Sequence, residues 1–167
     1  MSARWTELPP GVRVASEWGG KLSPAERIAH MRKANRAERL ARGTTDRADF
    51  FVDQLDVVTT NVLMRMHHMK QHQVISAWRD LGAAMAKDRP AVTVRVGIEV
   101  YPVAGKRGGL GDAASRALVV KGWLDGACDA GLLEDDSPEF VAYERHWAPA
   151  RGDLSGLRIL LVPADSA

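Results

Sequence analysis

Val92, Val94, Val96, Ile98 and Val100 occupy every second position of one short stretch, and they constrain the fold of this chain more than any other residues. Side chains on a strand point alternately to opposite faces, so the run predicts a half-buried strand over 92–101. Such a strand calls for neighbours in a sheet and an apolar layer over one face. The sequence supplies both. Val74, Trp78, Leu81 and Met85 recur at spacings of four, three and four, which predicts an amphipathic helix from about Lys70 to Lys87, ended by Arg89-Pro90. Ser115 is suited to cap a second helix that runs through Ala130 and closes at Gly131. Trp78 and Trp123 fall at core positions of the two helices. Phe50–Val58 has strand composition and breaks at Thr59-Thr60-Asn61; Phe140–Trp147 and Leu157–Val162 read as two further strands. The predicted order is β-α-β-α-β-β, an α+β domain with helices packed on a small, mostly antiparallel or mixed sheet.

That domain spans residues 49–163, with a short tail at 164–167. Residues 1–48 form an appendage of different character. Pro9-Pro10-Gly11 and Gly19-Gly20 mark an irregular arm over 1–22. Ser23-Pro24-Ala25-Glu26 is a capping box that starts a helix running to Arg42 and stopping at Gly43. Its apolar stripe (Ile28, Met31, Leu40) is thin beside Arg27, Arg32, Lys33, Arg36, Arg39 and Arg42. A helix this polar buries little and calls for docking or a ligand. Residues 1–48 hold ten Lys/Arg against five Asp/Glu, so the remainder of the 167-residue chain, whose net charge is +2, carries −3. A basic arm on an acidic domain suits a phosphate-bearing partner and a cation held by the acids. No apolar run approaches the roughly 20 residues of a membrane span. Met1-Ser-Ala-Arg-Trp-Thr-Glu lacks the apolar core of a signal peptide, so a cytoplasmic protein is expected. Cys128, the single cysteine, precludes an internal disulfide and sits among Leu124, Ala127 and Ala130 as a small helix residue.

The chemistry concentrates between Asp112 and Asp136. Asp112 precedes the second helix, Lys121 and Asp125 lie four residues apart on one face of it, and Glu134-Asp135-Asp136 follow it. Carboxylates that hold magnesium, with a lysine at the phosphate, are what phosphodiester hydrolysis requires. The two groups of acids lie at opposite ends of a helix of about 15 residues, roughly 22 Å by rise alone. They meet only if the Asp135-Asp136 loop folds back along the helix, or if the helix starts later than Ser115. Read singly, Lys121 and Asp125 form a surface ion pair worth a few tenths of a kcal/mol.

From Lys121 onward the segment resembles the RusA family of Holliday-junction resolvases, small homodimeric Mg2+-dependent endonucleases of phages and prophages. The family pattern is an Asp-x-Asp-Asn run, a lysine, an aspartate four residues later, a glycine and a terminal Asp-Asp pair. Lys121, Asp125, Gly131, Asp135 and Asp136 match it in register, and Asp112-Ala113-Ala114-Ser115 stands at the upstream run. The strand followed by Asn61 and Arg65-Met66-His67-His68 is similar to the family's post-strand segment, so the likeness covers about residues 50–163. It implies a RusA-like fold, Mg2+ as cofactor with Mn2+ as a substitute, a homodimer, and four-way-junction DNA as partner in recombination or repair. Carried over, the resemblance implies that Lys121, Asp112 and Asp136 are catalytic, that Asp112 and Asp136 hold metal with Asp135 as an accessory, and that Asp125 supports structure or orients the lysine. Ala114 stands where the family has its second acid and Ser115 where it has asparagine, so a junction-binding protein without cleavage is the alternative.

Asn61, Arg65, His67, His68, Lys70, Lys106 and Arg107 are the expected DNA contacts, since phosphate neutralisation dominates nucleic-acid affinity. His67, His68 and His72 also suggest zinc, but no carboxylate or cysteine completes the set nearby. Gly105-Lys106-Arg107-Gly108-Gly109 lacks the Lys-Ser/Thr ending of a phosphate-binding Walker loop.

Overall fold

A computed structural model describes residues 38–53, 57–106 and 112–164 of the chain. Arg107, the irregular arm and the capping box at Ser23 lie outside the described residues. The described residues belong to one compact unit that begins at Arg36, and it takes in the last turn of the basic helix. That turn, α1, is described over residues 38–41 and ends where the sequence places its stop, at Gly43 with φ +88°.

The unit is an α+β structure with a mixed sheet. The four main strands lie in the order β2 (Ala48–Val52), β7 (Gly156–Pro163), β4 (Val96–Ala104), β5 (Val141–His146). β7 runs antiparallel to both of its neighbours, and β5 runs parallel to β4. Beyond β5, the two residues of β6 (Ala150–Arg151) pair with the end of β4. A separate parallel pair joins β1 (Thr44–Thr45) to β3 (Ala91–Val92).

The alternating run is split, not continuous. β3 ends at Val92, whose amide donates to Leu132 O, and β4 begins at Val96, whose amide donates to Phe140 O. Between them the chain changes partners, and Val94 turns outward, 39% exposed. From Val96 the period of two holds: Val96, Ile98 and Val100 are buried in the core with Ile159 and Leu161 of β7 and Phe50 and Val52 of β2. Pro102 has no amide to donate. It falls between the last β5 pairing, at Val100, and the first β6 pairing, at Val103.

α2 (Thr60–Arg65) was not expected, because Thr59-Thr60-Asn61 reads as a break. Thr59 caps it instead, its hydroxyl accepting from the Val62 amide at 3.4 Å. α3 (His68–Ala86) starts two residues before the predicted Lys70, with His67 as its cap. Ser115 does not cap the next helix. It lies within a 3-10 turn (Ala113–Arg116), where its hydroxyl donates to Asp112 O at 2.6 Å, and α4 (Ala117–Asp129) follows.

α3 and α4 lie over the sheet and pack closely on each other. Trp78 and Trp123 are buried between them and the strands, and the Trp123 ring meets Phe50 edge-on at 4.9 Å. Glycines set the spacing of the two helices. A Cβ on Gly82 of α3 would sit 2.0 Å from Trp123 O, and one on Gly126 of α4 would sit 1.8 Å from Arg79 O. Both obstacles are backbone, so the helices must separate to admit a methyl group. Gly126→Ala should therefore cost about 3 kcal/mol and lower the melting temperature by about 10 °C in thermal unfolding. A change of a degree or two would show that the helices do not approach this closely.

Candidate functional site

The site is built where the chain leaves α4. Gly131 takes φ +80°, a conformation that suits glycine, and the Leu132 amide returns to Ala127 O at 2.9 Å. Leu132 and Leu133 are then wholly buried in the core. Two apolar anchors directly after the turn drive the chain back beside the helix it has just left. Asp136 thereby reaches Lys121, eight residues before the end of α4, a return of about 12 Å along the helix axis. The fold-back that the separated acids required is present.

Lys121 Nζ donates to Asp125 Oδ1 at 2.8 Å and to Asp136 Oδ2. The Asp136 amide donates to Asp135 Oδ1 at 2.9 Å, so the pair of acids is ordered as a unit. Lys121 is 53% exposed, Asp125 and Asp136 less so. Partial burial pulls the lysine pKa down, but its hydrogen bonds to Asp125 and Asp136 outweigh it and the net shift is upward. The hydrogen bond from Lys121 holds the Asp136 carboxyl below its ordinary value. Lys121 is thus a fixed positive charge at neutral pH and no base.

Cys128 lies next to the cluster. Burial first, then the charges of Asp136, Asp135 and Asp125, push its thiol up to about 12. It stays a neutral thiol, which excludes a thiolate nucleophile.

Asp112 is exposed and introduces the 3-10 turn; its carbonyl accepts from the Ser115 amide, the Ser115 hydroxyl and Arg116 Nη1. Burial lowers the Arg116 pKa, and the charge of Asp112 opposes that shift. Among the described residues no hydrogen bond or ion pair joins Asp112 to the Lys121 cluster, and no three His, Cys, Asp or Glu side chains gather as a metal-holding group. The zinc grouping of His67, His68 and His72 is therefore not formed, although the rings of His67 and His68 lie 4.2 Å apart. The carboxylates that do converge, Asp125 and Asp136, do so on the Lys121 ammonium. Their oxygens are the donor type that magnesium takes, and magnesium needs few protein ligands because it keeps several waters.

The expected DNA contacts that are described distribute over three places. Asn61 and Arg65 are exposed on α2, which packs against the 3-10 turn and α4. His68 and Lys70 are exposed on the first turn of α3, beside the capping His67. Lys106 stands apart from both and pairs with Asp153 at 3.1 Å. Arg39 is the residue that sequence reasoning misplaced. It reads as one more solvated charge of the basic helix, yet it is 5% exposed and bonded to Glu134. The sparseness of that helix's apolar stripe was the one hint that it docks.

No family model, no curated protein and no solved structure matches the chain. No helix among the described residues is long and apolar enough to cross a membrane.

The depressed Asp136 pKa has a definite sign in stability. A carboxyl whose folded value lies below its unfolded value stabilises the fold above the unfolded value and loses that contribution as pH falls. The stability difference between the native chain and Asp136→Asn, from urea unfolding without metal, should be constant near neutrality and shrink below about pH 4. A difference that persists unchanged to pH 2 would rule out the Lys121–Asp136 pairing.

Proposed function

We propose that the chain is a Mg2+-dependent, structure-selective endonuclease that nicks four-way junctions and other branched DNA, acting as a homodimer in the cytoplasm during recombination or repair. The observation that carries this reading is the return of Asp136 to Lys121, which gathers the resolvase-like residues of the second half of the motif at one place. The rest of the proposal follows from what each residue is able to do there.

Bound magnesium supplies an activated water and neutralises charge on the phosphate. Asp136, Asp135 and Asp112 would hold it. Lys121, permanently protonated, offers its charge to the scissile phosphate; a phosphate oxygen competes for the ammonium with Asp136, while Asp125 keeps the lysine aimed. Asn61 and Arg65 on α2, with His67, His68 and Lys70 at the start of α3, contact the backbone and fix the register of the duplex arms. A two-fold dimer presents two equivalent sites, as two symmetric nicks in a junction demand. Ala114 favours the second reading, a junction-binding protein on the same fold, because it supplies no ligand where an acid is expected.

A synthetic four-way junction incubated across a magnesium titration separates the two. Paired nicks are expected, slowed at least about 100-fold by Lys121→Ala and by Asp136→Asn, since each removes charge at the reacting phosphate. Salt-sensitive junction binding with no nick at any magnesium concentration leaves only the binding protein; no salt-sensitive affinity for DNA defeats both readings.

Ala114→Asp tests the upstream half of the motif. Adding a carboxylate ligand should lower the magnesium needed for half-maximal nicking by about tenfold. An unchanged requirement places position 114 outside the site.

A further inference from the structure

Arg39 is the only buried charged residue among those described, 5% exposed at the end of α1. Its Nη2 donates to Glu134 Oε2 at 2.8 Å, while Nε and Nη1 are buried with no partner among the described residues. A guanidinium placed in this way contributes little net stability, because removal from water offsets much of the ion pair. Its geometry is specific, however. A Cβ on Gly131 would lie 3.4 Å from both Cγ and Cδ of Arg39, so the arginine stem lies against the turn itself. Three residues on, Arg42 Nη2 donates to Ala130 O at 2.7 Å and Nη1 donates to Lys87 O. One helical turn thus grips the end of α4 by its carbonyl, the turn by packing, and the following loop by Glu134. Glu134, Asp135 and Asp136 are adjacent carboxylates that repel one another. Arg39 pairs with the first and Lys121 with the third.

We infer that Arg39 is a positioning residue, and that the last turn of the basic helix holds the 131–136 loop so that Asp136 stays beside Lys121. The role in catalysis rests on the endonuclease reading; the positioning of the loop does not. On this view residues 39–42 are coupled to the acid site through the 131–136 loop.

Arg39→Met keeps the packed stem and removes the charge. Hydrogen exchange followed by mass spectrometry on the full chain should then show residues 134–137 exchanging at least about tenfold faster, with α3 and β4 unchanged. In the junction assay the magnesium required for half-maximal nicking should rise about tenfold, with the rate at saturating magnesium nearly retained. Arg39→Lys should restore most of both, and Arg79→Met, which breaks the exposed Arg79–Asp129 pair between α3 and the end of α4, should change neither. Should Arg39→Met fail to fold, Glu134→Gln carries the same expectation from the exposed side of the pair. Unchanged exchange at 134–137, or equal acceleration in every element, overturns the inference. If the native chain does not nick DNA, the exchange measurement still decides the role of Arg39, and the endonuclease reading falls separately.

Discussion

Whatever gathers around Lys121 does so because the chain reverses after α4. Gly131 makes the turn sterically easy, but a turn alone sets no direction. Leu132 and Leu133 set it. Burying each leucine is worth about 2 kcal/mol, and burying both in succession obliges the chain to run back beside the helix before it returns to the surface. The Val92 amide, bonded to Leu132 O, ties that reversal to the small β1–β3 pair. Asp135 and Asp136 emerge from this apolar anchor, so the placement of the acids is set by hydrophobic burial and not by attraction to Lys121. An ion pair as exposed as Lys121–Asp136 contributes too little to fold a loop by itself.

The close approach of α3 and α4 serves the same end from the other face. Gly82 and Gly126 let the helices meet backbone to backbone, and this leaves Lys121 and Asp125 on the flank that the returning loop covers. Bulkier residues at the glycines would force α4 away from α3. The motif residues Lys121-Gly-Trp-Leu-Asp125-Gly therefore divide three jobs among six positions: Lys121 and Asp125 join Asp136, the glycines face the neighbouring helix, and Trp123 fills the core.

The α+β character, the two long helices and the period of β4 were legible because each is a local pattern with a local cause. Misreadings arose where a distant contact decides. Val94 continues the alternation in sequence, but the chain changes strand partners at 93–95, and nothing nearby announces that. Thr59 was taken as a break when it is a helix cap, two roles that share the same residue type. Ser115 reads as a cap and instead stabilises a 3-10 turn through Asp112 O. The Lys121–Asp125 spacing was plain from the helical period. The joining of Asp136 to it was not, since two leucines after a glycine look like any loop until the core that receives them is known. Arg39 was the least legible, because a buried arginine and a solvated one are the same letter.

Lys121 stands under competing demands, and these explain why two acids surround it. A lysine free to face solvent would bind phosphate readily but with no fixed direction. Asp125, one helical turn away on the same rigid element, gives it direction. Asp136, on a loop, gives it a second partner that is able to leave. A cation or a phosphate entering the cluster would shift the balance between the two acids without moving α4, because only the loop side has to yield. Such an arrangement needs the loop to be firm enough to return and anchored outside the cluster. The contact at Glu134, made by a residue outside the cluster, is placed to meet that requirement.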